Sequence, residues 1–374
     1  MSVSPASWSA ARVFPGRPKR WVAVALVLVV AAAALTVTLL EMPGSKPSHY
    51  RNAAAFANPG FQVGGMAIAP GGRTLYVIGT ASAAGNQAPY YGPFPPHVVV
   101  PVSLATGAEG TPIRIGQGPD GLAIAPDGKT LYVAVERAIF VVDLATGRAG
   151  KPIPIGGQGP LGLAVAPDSK TLYVADGAGV VPITGGKAGA PIAVAGTADV
   201  LAMAPDGRTL YVAGSLGISG NQGEVVPVST ATGRAGKPIR MSGSPSDLAV
   251  TPDGKTLYVG TQAANGNNSS VVSVDTGTGR PGRPIALADL LTALAMAPDG
   301  RTLYATTMSS SVVEPGIVTA ISTSTGRLGT SVTVGLEPYA LAVTPDNTAL
   351  YAAALLRQGN QTATITEVTL PTSR

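Results

Sequence analysis

The sequence has no cysteine in its 374 residues and only two histidines, His49 and His97. Without cysteine the chain has no disulfide, no thiolate nucleophile and no thioether attachment site for haem. Two histidines are too few for a histidine-rich metal site or for haem ligation through several histidines. Neither a G-x-S-x-G nucleophile elbow nor a phosphate-binding G-x-x-x-x-G-K-[ST] loop occurs. We therefore predict no cofactor, no catalytic residue and no metal ligand.

Charge is also scarce, at 12% of residues, and the net charge of +5 is unevenly placed. Arg12, Arg17, Lys19 and Arg20 precede residue 21, and residues 1–40 contain no acidic residue. Without these four, the 25 basic residues fall to 21, against 20 acidic ones. The basic character belongs to the N-terminal segment, so it gives no support to nucleic-acid binding.

The N-terminal segment carries the one long apolar run of the sequence, WVAVALVLVVAAAALTVTLL, over residues 21–40. Twenty uncharged residues suffice to span a bilayer as a helix, and the preceding positive charges favour a cytoplasmic N-terminus. We expect a basic cytoplasmic tail over 1–20, a transmembrane signal anchor over 21–40 and a tether over 41–52. The alternative is a cleaved signal peptide, which would make the protein secreted.

Glycine (48) and proline (33) are abundant, and they punctuate a nine-residue unit written PDGKTLYVA at Pro126. Proline, aspartate and glycine favour a tight turn, and the alternating residues that follow favour a strand. Spacings of 38 to 56 residues between copies are close to the period of propeller blades. The seven copies begin at Pro70, Pro126, Pro167, Pro205, Pro252, Pro298 and Pro345.

One complete period, from Ser246 to Leu287, contains four short strand patterns separated by turn signals. Four antiparallel strands make one blade, which buries its faces only against neighbouring blades. After the last copy the sequence offers a third strand but no fourth, and RNAAAFANPG (residues 51–60) stands where that strand is needed. We predict an all-β, seven-bladed β-propeller over residues 53–374, monomeric and closed by an N-terminal strand.

The stretch GPDGLAIAPDGKTLYVA, from Gly118 to Ala134, resembles the repeat of the YVTN-type β-propeller family. The resemblance covers about residues 55 to 370 and implies a seven-bladed propeller. Surface proteins, binding proteins and lactonase-like relatives share this repeat, so the resemblance implies little about activity.

The propeller pattern places the repeated turns on one rim and the variable loops on the other. On the turn side, a predicted basic rim would face anionic headgroups if the anchor leaves from it. The alternative is a solvated surface that keeps the domain soluble. The candidate membrane-facing residues, all between the third and fourth strands, are Arg148, Lys151, Arg234, Lys237, Arg280 and Arg283.

The opposite rim contains the long loop ASAAGNQAPYYGPFPPH (residues 81–97), with Tyr90, Tyr91, Phe94 and His97. Rigid aromatic rings in a proline-stiffened loop suit a partner contact. A loop folded back over a blade edge is the alternative. Related G-N-Q and G-N-N stretches recur on this rim; they favour either hydrogen-bonding loops or turns.

Near the axis, the residue six positions before each repeat proline is expected to line a channel mouth. The carboxylates and the tyrosine there are candidate ligand contacts, although they also suit turns before a strand. The carboxylates do not form a contiguous ring, so we predict no metal site. These positions are Gly64, Asp120, Leu161, Asp199, Ser246, Thr292 and Tyr339, with Asp247 and Glu337 beside them.

These observations together favour a membrane-anchored extracytoplasmic propeller that binds a protein, peptide or glycan at the cell envelope. The alternative is a lactonase-like or other hydrolase that uses the axial carboxylates for acid–base chemistry. No nucleic-acid partner is expected.

Overall fold

The computed structural model describes residues 55–57, 63–80, 97–116, 119–157, 159–216, 222–263, 268–309, 314–358 and 360–371. Every regular element in these ranges is a β-strand. In the same ranges no helix is long and apolar enough to cross a membrane. The predicted anchor, residues 21–40, lies outside the described residues.

The strands form six antiparallel sheets, which are the blades of a β-propeller. The first is β2 (Val63–Ile68), β3 (Thr74–Thr80), β4 (His97–Ser103) and β5 (Ile113–Gly116); the second is β6 (Pro119–Ile124), β7 (Thr130–Val135), β8 (Ala138–Asp143), β9 (Arg148–Ala149) and β10 (Ile153–Pro154). The third is β11 (Gly162–Val165), β12 (Thr171–Ala175), β13 (Gly177–Thr184), β14 (Lys187–Ala188) and β15 (Ile192–Ala198). The fourth is β16 (Val200–Met203), β17 (Thr209–Ser215), β18 (Gly223–Ser229), β19 (Arg234–Ala235) and β20 (Ile239–Met241). The fifth is β21 (Ser244–Val250), β22 (Thr256–Gln262), β23 (Ser269–Asp275), β24 (Arg280–Pro281) and β25 (Ile285–Leu287). The sixth is β26 (Leu290–Met296), β27 (Thr302–Met308), β28 (Gly316–Ser322), β29 (Leu328–Val343), β30 (Ala349–Gln358) and β31 (Asn360–Thr369), with β1 (Ala55–Ala57) at its edge.

The second strand of each repeat, written T-L-Y-V in five of the seven, is buried on both faces because a neighbouring repeat lies against each side of it. In β7, Tyr132 packs in one hydrophobic cluster with Leu172 of the following repeat, while Leu131 packs with Ile78 of the preceding one. The period-2 alternation of a strand therefore sends tyrosine towards one neighbour and leucine towards the other. The repeat unit encodes the contact between blades.

The same contact closes the ring. Tyr351 of the last repeat packs with Leu75 of the first repeat. The innermost strands touch in the order β2, β6, β11, β16, β21, β26 and β29, and β29 touches β2. In addition, β1 pairs antiparallel with β31, so the N-terminal strand lies at the edge of the last sheet.

The predicted count of seven four-stranded blades is wrong, because the structure has six. The last two repeats share one seven-stranded sheet, since β29 runs from the outer edge of one repeat to the inner edge of the next without a break. Positive φ angles at Gly335 (110°) and Glu337 (45°) bend this strand midway. Tyr304 and Leu350 consequently pack together although both belong to this sheet.

The seven repeated turns gather at one end of the propeller (residues 70–73, 126–129, 167–170, 205–208, 252–255, 298–301 and 345–348). The turns that follow the third strands lie beside them, as the hydrogen bond from the N–H of Leu144 to the carbonyl oxygen of Lys129 shows, and we call both sets of turns together the turn rim. In six of the seven repeated turns the aspartate accepts a hydrogen bond from the main-chain N–H two residues later, as Asp127 Oδ1 does from Lys129 at 3.0 Å. A Cβ added to Gly72 of the first turn would lie 3.5 Å from Cδ of Pro345 in the last. Neighbouring turns are therefore in contact around the axis.

One glycine tests how closely the blades approach. A Cβ on Gly214, in β17, would clash with the carbonyl oxygen of Thr197, which belongs to β15 of the preceding blade. Gly214→Ala should therefore destabilise the fold by about 1–3 kcal/mol, as overpacking does. The melting temperature should fall by at least about 2 °C. Gly156→Ala is the matched control because no atom lies within 4 Å of its added Cβ; an equal loss in both variants would contradict the close approach.

Candidate functional site

The end of the propeller opposite the turn rim, which we call the loop rim, begins at the first residues of the innermost strands. Register shifts mark this end: Asp120 has no partner between Pro119 and Gly121 in the pairing of β6 with β7. Similar register shifts occur at Gly64, Ser246, Thr292, Glu337 and Tyr339. β-Bulges concentrate next to binding sites because they redirect side chains. The sequence-predicted axial residues thus lie at one end of the propeller.

Asp247 is engaged within the fold. Its Oδ1 accepts a hydrogen bond from the N–H of Leu248 at 2.8 Å, and its Oδ2 accepts one from the N–H of Leu294, in the next blade, at 2.6 Å. Burial raises the pKa of this carboxyl to about 6, against the lowering effect of the two hydrogen bonds. Asp247 therefore connects β21 to β26.

Asp199 lies directly before β16 and is half-buried. Its Oδ2 accepts a hydrogen bond from the Thr197 hydroxyl at 2.6 Å. The Thr197 hydroxyl oxygen in turn accepts one from the N–H of Ser215 at 2.9 Å. Asp199 is thus part of a polar chain between the third and fourth blades.

Glu337 and Tyr339 lie in the bent part of β29. Glu337 has a φ of 45°, which is uncommon for a residue with a side chain. Tyr339 is half-buried and packs against the cluster that contains Leu75. Its hydroxyl is buried and has no hydrogen-bond partner among the described residues, and burial raises the pKa of this phenol. Both residues remain at the loop rim as predicted candidates.

The remaining predicted contacts fall largely outside the described residues. Tyr90, Tyr91 and Phe94 lie outside them, whereas His97 begins β4, where it pairs with Thr80. No group of three or more histidine, aspartate or glutamate side chains that could hold a metal occurs in the described ranges.

The predicted basic residues of the turn rim are all solvent-exposed: Arg148, Lys151, Arg234, Lys237, Arg280 and Arg283. None takes part in the ion pair found among the described residues, which joins Arg240 to Glu224.

A cleft of about 90 Å³, lined only by glycine, alanine, proline and leucine residues, lies between the inner strands of the second and third blades. Leu161, at its edge, is 54% exposed, while Pro160 beside it is buried. Because Leu161 directly precedes β11, the cleft opens at the loop rim. The cleft is lined by Gly121, Leu122, Ala134, Pro160, Leu161, Gly162 and Leu163.

Sequence reasoning passed over this cleft because it searched the axial positions for carboxylates. The available signal was Leu161 itself, a large apolar residue at a position that is otherwise mostly small or polar. Glu224, 1% exposed in β18, was missed as well. Its signal was a carboxylate in the third strand GEVVPVS, next to a run of valines.

No protein-family model matches the chain, and neither does any curated protein. Among solved structures, hydrazine synthase of Kuenenia stuttgartiensis is similar, with a TM-score of 0.70 and 21% sequence identity. The similarity covers 89% of this chain and 100% of the other. At this identity the similarity shows the fold alone, a β-propeller, and no family model supports the YVTN resemblance.

The raised pKa of Asp247 predicts a pH dependence of stability. Between the ordinary carboxyl pKa of 3.8 and the folded value of about 6, the folded chain retains a proton that the unfolded chain has lost. The Asp247 contribution to the free energy of unfolding therefore falls as the pH rises through this window, by up to about 3 kcal/mol. Asp247→Asn should lose this component, as measured by urea unfolding between pH 4 and pH 7.

The pH dependence of the free energy of unfolding should have the opposite sign for Asp253, which lies in an exposed turn. There a hydrogen bond from the Thr251 hydroxyl lowers the carboxyl pKa. Its contribution is present above the unfolded pKa and disappears as the pH falls through the folded one. Asp253→Asn should therefore remove a stabilising component at neutral pH.

Identical pH profiles for Asp247→Asn and the wild type would contradict the role of Asp247.

Proposed function

We propose that this propeller is an interaction module that binds a protein or peptide ligand at the loop rim, through the cleft beside Leu161. The observation that carries the proposal is the exposure of Leu161 at the edge of a cleft whose lining residues have no polar side chain. Ligand sites are concave and mostly apolar, with a few polar groups that fix orientation. An apolar side chain of the ligand would cover Leu161 and contact Leu122 and Leu163.

The turn rim is less suited to specific recognition of such a ligand. Its aspartates already accept hydrogen bonds within their own turns, and its basic residues are exposed and distributed over several blades. The loop rim, in contrast, differs from blade to blade, as specific recognition requires. Because no polar side chain lines the cleft, it suits an apolar peptide side chain better than a glycan, which needs a denser set of hydrogen-bonding groups.

No observation favours the lactonase-like alternative. Asp247 is committed to two main-chain N–H groups, and Asp199 to the Thr197 hydroxyl. Acid–base catalysis needs a carboxyl group within reach of a substrate proton. We therefore argue for binding.

Substitution of Leu161 tests the binding proposal directly. Covering the exposed half of this side chain contributes about 1–1.5 kcal/mol, and an aspartate there would also lose hydration against the ligand, so Leu161→Asp should weaken ligand binding at least about tenfold. The probe is a peptide selected from a random phage-displayed library on the wild-type protein, with its affinity measured by biolayer interferometry. Leu328→Asp is the matched control, because Leu328 is 50% exposed but lies beside Arg327 at the turn rim. Equal affinities for the wild type and Leu161→Asp would refute this site.

An extracytoplasmic location at the cell envelope is part of the proposal, supported by the apolar run of residues 21–40 and the basic residues before it. In that location the basic residues of the turn rim would meet anionic lipid headgroups. The YVTN resemblance agrees with such a location.

The absence of cysteine makes location measurable. Thr106 is exposed, so Thr106→Cys introduces the one thiol of the protein at an accessible position. We expect a membrane-impermeant maleimide to label this variant in intact cells. The wild type is the unlabelled control, and labelling only after lysis would place the propeller in the cytoplasm.

A further inference from the structure

The turn after the third strand is shorter in the third blade than in its neighbours. Four residues connect β18 to β19 in the fourth blade, and four also connect the corresponding strands of the second and fifth blades. In the third blade only Gly185 and Gly186 connect β13 to β14. Their φ angles of 58° and 75° are those of a tight two-residue hairpin turn. The third blade therefore lacks two residues at the turn rim.

The longer turns touch the preceding blade, and the short turn does not. A Cβ added to Gly233, the last residue of the turn in the fourth blade, would lie 3.7 Å from Cγ1 of Ile192 in the third. A Cβ added to Gly185 or Gly186 would have no atom of the described residues within 4 Å. The contact between the second and third blades is therefore incomplete at the turn rim; we call such a contact between neighbouring blades a seam. The same glycine–isoleucine contact occurs at Gly147, Gly279 and Gly326.

The short turn also removes a hydrogen-bond partner from a repeat tyrosine. In the fifth blade, the Tyr258 hydroxyl donates to the carbonyl oxygen of Thr323, in the longer turn of the sixth blade, at 3.3 Å. Tyr132 holds the same position in the second blade and faces the short turn of the third. Its hydroxyl has no hydrogen-bond partner in the part of the chain that the structure describes. This phenol is therefore free to bind a ligand.

A second cleft, of about 360 Å³, lies in the space that the short turn leaves between the second and third blades. Tyr132 and Val141 line it from the second blade, and Ile183 lines it from the third. Beside it the two blades remain joined, because the N–H of Asp127 donates to Ser169 Oγ at 3.0 Å. Small-molecule sites begin at about 300 Å³. The cleft is thus large enough for a small organic ligand.

The polar side chains that line this cleft are Lys170, Tyr132 and Thr184, and each can donate a hydrogen bond. Lys170 is exposed and takes part in no ion pair within the described ranges. Burial raises the pKa of the Tyr132 phenol, and the charges of Asp127 and Asp168 raise it further, so the hydroxyl keeps its proton. Those two carboxylates do not line the cleft, and each accepts a main-chain N–H within its own turn. The lining therefore combines one positive charge with apolar side chains.

We propose that this cleft binds a small carboxylate with an apolar body. The carboxylate would accept hydrogen bonds from the Lys170 ammonium and the Tyr132 hydroxyl, and the apolar body would contact Val141 and Ile183. Charge complementarity favours an anion over a cation, because the one charged side chain in the lining is a lysine. The proposal does not depend on the peptide site, since Leu161 lies at the opposite rim.

Isothermal titration of the full-length protein in detergent tests the site, with sodium benzoate and sodium naphthoate as the probes. We expect one saturable site per chain, with a dissociation constant for naphthoate of about 10⁻³ M or lower. Naphthylmethylamine, which carries a positive charge on the same ring system, should bind more weakly. Saturable binding of neither carboxylate, or tighter binding of the amine, would overturn the proposal.

Two variants locate the bound carboxylate, and all proteins are measured in the same detergent buffer so that partition into micelles is common to them. Replacing Gly185 and Gly186 by Thr-Ala-Thr-Gly, the turn sequence of residues 230–233, should close the cleft and abolish binding. Lys170→Gln, at an exposed position, should raise the dissociation constant at least about threefold. Lys255→Gln, which changes the equivalent lysine of the fifth blade, is the matched control and should bind as the wild type does.

The melting temperature of the variant with the longer turn shows whether it folds, and Lys170→Gln keeps the test decisive if it does not. Unchanged naphthoate affinity in Lys170→Gln, or binding retained by a folded variant with the longer turn, would contradict the site.

Discussion

The packing of the second strands against each other is the contact on which the rest of the structure depends. Each carries apolar side chains on both faces, with leucine directed at the preceding repeat and tyrosine at the following one. Burial of each leucine contributes about 1.5–3 kcal/mol. Because Tyr351 packs with Leu75, the contact between the last repeat and the first is the same as that between any two neighbouring repeats. The ring therefore needs no separate closure device.

A polar group buried in one of the closely packed apolar contacts between blades costs free energy unless it has a partner. The seam between the third and fourth blades is tight enough to require glycine at position 214, yet it also holds Glu224 and the Thr197–Asp199 hydrogen bond. A polar group that repeated in every seam would belong to the architecture. Glu224 occurs in one seam, in place of the apolar or small residues found elsewhere, so its cost must be offset by something specific to that seam.

Local chemistry made much of the fold predictable. The Asp-Gly turns were predicted from side-chain preference, and their aspartates accept the expected main-chain hydrogen bonds. The blade count was not predictable in this way, because it depends on whether the chain leaves the extended conformation between repeats. The sequence around Gly335 resembles other crossings, but there β29 bends without a break and merges two repeats into one sheet. The site could not be predicted in the same way, because it depends on contacts between blades. The sequence predicts Asp247 to be an axial carboxylate open to a ligand, whereas in the structure its Oδ2 accepts a hydrogen bond from the N–H of Leu294 in the next blade.

The two rims differ in whether the same residues recur from blade to blade. At the turn rim the same residues recur, and they satisfy one another: aspartate binds its own turn, and glycine packs on the proline of the preceding turn. At the loop rim each bulge carries a different residue, so the blades share no common hydrogen-bond network there. Leu161 is exposed there because the repeat supplies no partner for a residue that occurs once. The ligand that we propose would supply the apolar contact that the fold itself does not give Leu161.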